Sequence, residues 1–100
     1  MQVIVTDPAK LRLKYIYRYY KAAASVKTAQ KIKDSVLNKI KSLKKFPLRG
    51  KTEENLIELN QQHRYVIEGH FKIIYLIFNN TIYVTDIFDT RQDPERIVKQ

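Results

Sequence analysis

The hydrophobic periodicity differs between the two halves of this chain, and this difference restricts the possible folds most strongly. Between Pro8 and Pro47, apolar residues recur every three or four positions, as on one face of a helix. After His63, apolar residues alternate with polar ones or run without interruption, as in the strands of a sheet. A chain of 100 residues is long enough for one domain. We therefore expect a single α+β domain over residues 1–100.

Two helices are predicted in the first half of the chain. Asp7 and Pro8 are interpreted as the N-cap and first residue of helix one, and Ser25 as the N-cap of helix two. Pro47 is expected to end helix two, because the residue before a proline is pushed away from helical geometry. The predicted buried stripes are Leu13, Ile16, Tyr17, Tyr20 and Ala24 in helix one, and Ala29, Ile32, Val36, Ile40 and Leu43 in helix two. The short link between the helices predicts an antiparallel hairpin.

The predicted sheet combines an opening strand at Gln2–Thr6 with a later meander. The later strands are predicted at Asn55–Leu59, His63–Glu68, Phe71–Phe78 and Ile82–Phe88, and residues 48–54 are predicted to form a loop. Gly69-His70 and Asn79-Asn80 suit tight turns that need positive φ. Three of the later strands are joined by short turns and form the meander. Counting these three, the element order is β-α-α-β-β-β, with the helical hairpin packed on one face of an antiparallel sheet.

Positive charge is concentrated in the first half. Residues 8–51 contain fourteen lysines and arginines and one acidic residue, Asp34, so this segment carries +13 in a chain of net charge +9. Such a distribution indicates an anionic partner, which could be RNA, DNA or an acidic polypeptide. The alternative is that lysine-rich helix faces only keep the domain soluble.

Several kinds of site are excluded by composition. The sequence has no cysteine, which rules out disulfides and thiolate metal sites. Its only glycines, Gly50 and Gly69, cannot form a glycine-rich phosphate loop. His63 and His70 are expected to be solvated residues at strand ends rather than metal ligands. No apolar run reaches the roughly 18–20 residues of a membrane span. We expect a cytoplasmic protein with no cofactor, no metal and no membrane contact.

Cations near strand ends are the candidate catalytic groups. Lys72 begins a strongly apolar strand, where burying a charge is unfavourable unless the charge is paired. The alternative is that its ammonium reaches water. Arg91 follows the last strand, and its alternative role is a local ion pair with Asp89 or Asp93. The start of a meander's middle strand lies beside the end of its last strand, so Lys72 and Arg91 should be neighbours. Together with Arg49 from the loop, they could surround a phosphate and stabilise a charged transition state.

Other residues are candidates for binding a target. They are Lys51, His63 and Arg64 near the predicted site, and Lys10, Lys14 and Arg18 on helix one. Tyr15 and Tyr19 lie beside the basic stripe of helix one. They are either exposed contact residues or rim residues of the core, and their burial distinguishes the two.

Three segments resemble the RelE/ParE superfamily of toxins, and the resemblance covers nearly the whole chain. Leu48-Arg49-Gly50 followed by Asn55–Leu59 resembles the "LRG … REL" region of that superfamily. Phe71–Tyr75 resembles its "YRIIY" strand, and Ile87–Pro94 resembles its C-terminal "VFHxRQDP" stretch. The predicted element order, the order of the three segments and the chain length also agree with the superfamily.

The resemblance implies a toxin that a cognate antitoxin holds inactive, with an oligomeric state set by their complex. RelE-like members cleave mRNA on the ribosome, and ParE-like members poison DNA gyrase. Arg49, Lys72 and Arg91 match basic positions that RelE-like enzymes use around the scissile phosphate. Lys72 stands where arginine is usual, and Ile97 stands where those nucleases often carry a tyrosine. Three hypotheses follow: an mRNA endonuclease, a gyrase inhibitor, and a basic binding module without toxicity.

Overall fold

The computed structural model describes residues 1–52 and 63–91, and the structural statements below refer to these residues. The elements are β1 (Gln2–Val5), α1 (Asp7–Ala23), α2 (Val26–Ser42), β2 (Lys51–Thr52), β3 (Arg64–Glu68), β4 (Phe71–Phe78) and β5 (Thr81–Asp89). The strand predicted at Asn55–Leu59 and the residue Ile97 lie outside the described residues. The short strand β2 falls within the segment predicted as a loop, because Lys51 and Thr52 pair with the start of β3.

The five described strands form one sheet in the order β1-β5-β4-β3-β2. Strands β3 to β5 pair antiparallel, as predicted, and β2 also pairs antiparallel with β3. Strand β1 runs parallel to β5. The sheet is therefore mixed rather than wholly antiparallel. A parallel pair needs a long crossover connection, and the helical hairpin after β1 begins that connection. The prediction of an α+β domain with a helical hairpin on one sheet face is confirmed.

Side-chain caps fix where the helices begin. Thr6, and not Asp7, is the N-cap of α1: its Oγ1 accepts a hydrogen bond from the Ala9 N–H and donates one to the Val84 carbonyl. Ser25 caps α2 as predicted, accepting from the Thr28 N–H. Helix α2 ends at Ser42, before Pro47, and the chain continues in tighter turns with hydrogen bonds to the third preceding residue.

The main core lies between the helical hairpin and one face of the sheet. Its fully buried large side chains are Tyr75, Leu43, Ile73, Ile82, Ile87, Val36 and Val84. From the predicted stripes, Tyr17, Tyr20 and Ile32 are half-buried. Ala24 is exposed because it is the C-cap of α1 rather than part of its core face. A second, smaller cluster of Ile74 and Phe88 packs with Tyr65.

A β-bulge in β5 changes which face of the sheet its side chains point to. Ile74 pairs with Asp86 and Tyr75 with Val84, which leaves Thr85 as the extra residue. Val84 and Ile87 therefore both belong to the main core, although regular alternation would place them on opposite faces. The bulge also brings Asp89 to the helical side, where it accepts a hydrogen bond from the Tyr20 hydroxyl at 3.4 Å.

Both predicted hairpin turns have the expected backbone. Asn79 and Asn80 have φ values of 49° and 58°, as a two-residue turn with two positive φ angles requires. Gly69 has a φ of 61° between β3 and β4. These turns fix the register of the meander.

The hydroxyl of Tyr75 joins the loop after α2 to the centre of the sheet. It donates to the Pro47 carbonyl at 2.8 Å and accepts from the Gly50 N–H at 2.9 Å. A Cβ at residue 50 would lie 2.5 Å from this oxygen and 2.7 Å from the Tyr65 carbonyl, so only glycine fits. Burial raises the pKa of Tyr75 above its ordinary value of 10.0, while the Gly50 hydrogen bond and the charges of Arg64 and Arg49 oppose this increase.

We expect Tyr75→Phe to lower the free energy of unfolding by about 1–3 kcal/mol, because it leaves a buried N–H and a carbonyl without their partner. Urea denaturation monitored by circular dichroism measures this loss. Tyr15→Phe is the matched control at an exposed position, and its expected change is within about 0.5 kcal/mol. Equal stability of the Tyr75 variant and the wild type would mean that the hydroxyl does not hold the loop.

Candidate functional site

Two arginines lie around the loop that Tyr75 holds. Arg64 Nη1 donates to the Gly50 carbonyl at 2.9 Å, which joins β3 to the loop. Arg49 Nη1 donates to Ser42 Oγ at 3.1 Å, and its guanidinium lies 4.9 Å from the centre of the Phe46 ring. Arg49 precedes Gly50 and Arg64 bonds its carbonyl, so both arginines adjoin the loop that the Tyr75 hydroxyl holds. Next to them, Lys51 is exposed on the edge strand β2.

Lys72 lies on the sheet face that carries the smaller cluster. Its neighbours Phe71 and Ile73 belong to the main core, so alternation along β4 places Lys72 on the opposite face. Its Nζ lies 4.3 Å from the ring centre of Tyr65. A cation over an aromatic face is stabilised by the ring quadrupole. Lys72 is half-buried and therefore is not simply a strand-end lysine reaching into water.

Arg91 forms an ion pair with Asp89. Its Nε and Nη2 donate to the two carboxylate oxygens at 3.1 and 2.9 Å, and its backbone N–H donates to one of them at 2.9 Å. The guanidinium also lies 5.6 Å from the ring centre of Tyr20, whose hydroxyl donates to the same carboxylate. This bidentate geometry is the strong form of an arginine–carboxylate pair. Asp89 therefore neutralises much of the charge of Arg91.

The three predicted catalytic cations are not brought together in the described residues. Register places Lys72 and Arg91 at the same end of the sheet, as predicted, because Phe71 pairs with Asp89. Their side chains nevertheless contact different faces: Arg91 contacts α1, and Lys72 lies on the opposite face. Arg49 belongs to the loop that the Tyr75 hydroxyl holds. Tyr75 lies on the core face of β4, three residues from Lys72, or about 10 Å along the strand.

A cavity of about 360 Å³ lies between α1 and the end of β5. Its described lining is Arg12, Tyr15, Ile16, Tyr19, Tyr20, Phe88, Asp89 and Arg91. Arg12 Nε contacts Asp86 Oδ1 at 3.3 Å, so each of the two lining arginines has a carboxylate partner. Tyr15 and Tyr19 are 64% and 56% exposed, which identifies them as surface residues rather than part of the core.

A second cavity, of about 420 Å³, lies between the two helices, and we call it the lysine groove. Its described lining is Lys10, Leu13, Lys14, Tyr17, Lys33 and Leu37. Lys33 Nζ lies 5.8 Å from the ring centre of Tyr17. The predicted target-binding residues Lys10 and Lys14 therefore share a site, whereas Arg18 is exposed on α1 and is not among the lining residues.

The two histidines differ in burial. His63 is only 5% exposed, just before β3, so the expectation of a solvated residue is wrong for it. Val66 and Tyr75, on neighbouring strands, are buried as well. His70, in the turn after β3, is exposed as expected.

The local ion pair of Arg91 with Asp89, one of the alternatives stated for this arginine, is present in the structure. The sequence did not indicate the pairing of Asp86 with Arg12. The second pair joins residues that are 74 positions apart, so no local pattern could reveal it. The lysine groove was also not predicted from the sequence, because it forms only when the two helices pack together. Its lining includes Lys33, Leu37 and Tyr17.

Asp86 should make stability depend on pH. Burial raises the pKa of its carboxyl above the ordinary value of 3.8, opposed by the Ile87 N–H and by Arg12. Because the folded protein binds this proton more tightly than the unfolded chain does, the contribution of Asp86 is greatest when the carboxyl is protonated. That contribution is lost as pH rises through the raised pKa.

We therefore expect Asp86→Asn to gain stability relative to the wild type as the pH rises from about 3 to 7, since the amide does not ionise. Urea unfolding of both proteins across this range measures the difference between their free energies of unfolding. The other titrating groups contribute equally to both proteins, so their effects cancel in this difference. A difference that is constant with pH, or that changes in the opposite direction, would contradict the assignment.

Among the described residues, the helices are too short and too polar to cross a membrane. The sequence matches the model of a family described as the ParE toxin of the type II toxin–antitoxin system parDE, over residues 3–94. No curated protein matches the chain. The structure is similar to a chain of the chromosomal ParDE toxin–antitoxin system from P. aeruginosa, with a TM-score of 0.74 and 19% identity over 89% of this chain and 95% of that chain.

The structural similarity shows that the two chains share a fold. The family match covers nearly the whole chain, agrees with the motif resemblance and includes the described helical hairpin and sheet. The chain belongs to the ParE toxin family of type II toxin–antitoxin systems, within the RelE/ParE superfamily.

Proposed function

We propose that this toxin arrests growth by binding DNA gyrase, without cleaving RNA. The observation that carries this proposal is the bidentate ion pair between Arg91 and Asp89. A cation that stabilises a phosphoryl transition state needs donors directed at the phosphate oxygens. In the described structure, Nε and Nη2 of Arg91 are directed at a carboxylate instead.

The other two candidate cations support the same interpretation. Lys72 lies on the opposite sheet face from Arg91, and Arg49 lies near Tyr75. A phosphate can be held by two or three cations only if they converge on it. Ile97, in the place where RelE-like nucleases often carry a tyrosine, also favours a toxin that acts by contact.

The exposed surface of α1 fits a protein target. Tyr15 and Tyr19 are large, exposed aromatic side chains beside a cavity whose two arginines are paired with carboxylates. Tyrosine and arginine are enriched where proteins bind one another, and compensated charge lowers the attraction for nucleic acid. We place the gyrase contact on this face of α1.

An mRNA endonuclease is the second candidate function, and one observation favours it. Arg49 and Lys51 flank Gly50 in the sequence, and Arg64 donates to the Gly50 carbonyl, so three cations surround the loop that the Tyr75 hydroxyl holds. Such a cluster could hold a phosphate of ribosome-bound mRNA. In this alternative Lys72 and Arg91 are not needed, and Arg49→Ala would abolish cleavage.

A cognate antitoxin is the expected partner in either case, because the family consists of toxins of two-component modules. We propose a cytoplasmic site of action, since both gyrase and the ribosome are there. The alternative of a binding module without toxicity predicts normal growth after induction.

The test is induction in bacterial cells without the antitoxin, followed by mapping of mRNA ends during growth arrest. We expect arrest with intact mRNA and with DNA damage, because a gyrase poison leaves broken DNA. Lys72→Ala should arrest growth as the wild type does, since it removes a charge far from the α1 face. Paired Tyr15→Ala and Tyr19→Ala substitutions should relieve the arrest.

The control compares the amount of each folded variant by circular dichroism after purification. Cleaved mRNA in the wild type, lost in Arg49→Ala, would replace the gyrase proposal with the endonuclease. Unchanged arrest by the paired tyrosine variant would exclude the α1 face as the target contact.

A further inference from the structure

A third cavity, of about 350 Å³, lies between α2 and the turn that joins β3 to β4, and we call it the turn pocket. Its described walls come from α2, from the turn itself, from Tyr20 of α1 and from Arg91 after β5. Sites for small molecules usually have volumes of about 300–1,000 Å³, so the turn pocket has room for a small ligand.

The floor of the turn pocket is apolar and partly aromatic. Val36 and Phe71 are buried there, and Ile32 and Tyr20 are half-buried. The rings of Tyr20 and Phe71 meet edge to face, with their centres 6.0 Å apart. The hydroxyl of Tyr20 donates to Asp89, which helps to hold its ring in place. An apolar body placed over this floor would be removed from water.

Two cations at the rim have donors that no described residue uses. Lys31 is exposed on α2 and forms no ion pair with the described residues. Arg91 carries five N–H donors, and its pair with Asp89 uses Nε and Nη2. Within the described structure its Nη1 group therefore remains available to a ligand.

The one acidic residue of the described lining, Glu68, is engaged elsewhere. Its carboxylate lies 4.0 Å from the ammonium of Lys39, which is not among the lining residues. His70, at the opposite side of the turn, adds a ring N–H donor to the rim. The rim is thus complementary to an anion.

From the apolar floor and the cationic rim we infer that the turn pocket binds a small organic acid, with its carboxylate at Lys31 and Arg91 and its apolar body over Tyr20 and Phe71. A guanidinium binds carboxylates through charge-assisted hydrogen bonds. A cationic ligand would be repelled at the rim, and an inorganic anion would leave the floor uncovered. Tyr20 and Arg91 also line the cavity near β5, but the inference does not depend on gyrase, because its test measures binding alone.

The probe is 3-phenylpropanoate, in which a short chain joins a carboxylate to one aromatic ring. Titration into the full chain labelled with ¹⁵N, followed by amide chemical shifts, measures its binding. We expect saturable shifts at Ser35, Gly69 and His70, which line the pocket, with a dissociation constant on the order of 1 mM, as suits a ligand of this size. Shifts that do not saturate, or that are absent from these residues, would overturn the inference.

Lys31→Ala tests the contact with the carboxylate, and Lys27→Ala, one turn earlier on α2, is its matched control. Both variants lose one exposed lysine, but only Lys31 lines the pocket. We expect Lys31→Ala to weaken binding about threefold, and Lys27→Ala to weaken it less than about 1.5-fold, because only screened long-range attraction is lost. Equal dissociation constants for the two variants would exclude the carboxylate contact and overturn the inference.

Ser35→Phe tests the location, because it places a ring inside the pocket. Saturable binding should be lost while circular dichroism shows an intact fold. Saturable binding to the folded Ser35→Phe protein would place the ligand elsewhere and contradict the inference.

Two comparison ligands separate the charge from the apolar body. The alcohol 3-phenylpropan-1-ol keeps the ring and lacks the charge, whereas acetate keeps the charge and lacks the ring. Each should bind at least about tenfold more weakly than the probe. An alcohol that binds as well as the acid would identify an apolar cavity without acid recognition. Acetate that binds as well would identify general attraction of anions, and either result would overturn the inference.

Discussion

The hydroxyl of Tyr75 connects the two halves of the fold, and the positions of Arg49 and Arg64, two candidate site residues, depend on it. It holds the chain just after α2 by bonding the Pro47 carbonyl and the Gly50 N–H. The approach is so close that residue 50 must be glycine. From this fixed loop, Arg49 reaches back to the end of α2 and Arg64 bonds across from β3. The helical hairpin and the sheet are therefore joined by polar contacts as well as by the core.

The distribution of charge separates two surfaces with different chemistry. Near the end of β5, Asp86 and Asp89 compensate Arg12 and Arg91, which leaves the exposed tyrosines as the dominant feature. Between the helices, the lysines have no such compensation within the described lining. One surface thus presents exposed aromatic side chains beside paired charges, and the other presents lysines beside apolar side chains.

Local patterns in the sequence were sufficient for the element order and failed where distant residues meet. The helical stripes predicted both helices, and the two turns were predicted from glycine and asparagine. The parallel pairing of β1 was not predictable, because an edge strand of four residues carries no signal of direction. The bulge at Thr85 had a signal: the apolar positions Ile82, Val84 and Ile87 break strict alternation. The prediction of a cation site at the sheet end used only the register of Lys72 and Arg91, and the side chains proved to contact opposite faces.

We propose that this toxin acts by contact with gyrase and performs no chemistry on RNA. The most direct measurement is a supercoiling assay with purified toxin, gyrase, ATP and relaxed plasmid, run beside ribosomes carrying a defined mRNA. We expect supercoiling to stop and broken plasmid to accumulate while the mRNA stays intact. Normal supercoiling together with cleaved mRNA on the ribosome would contradict it.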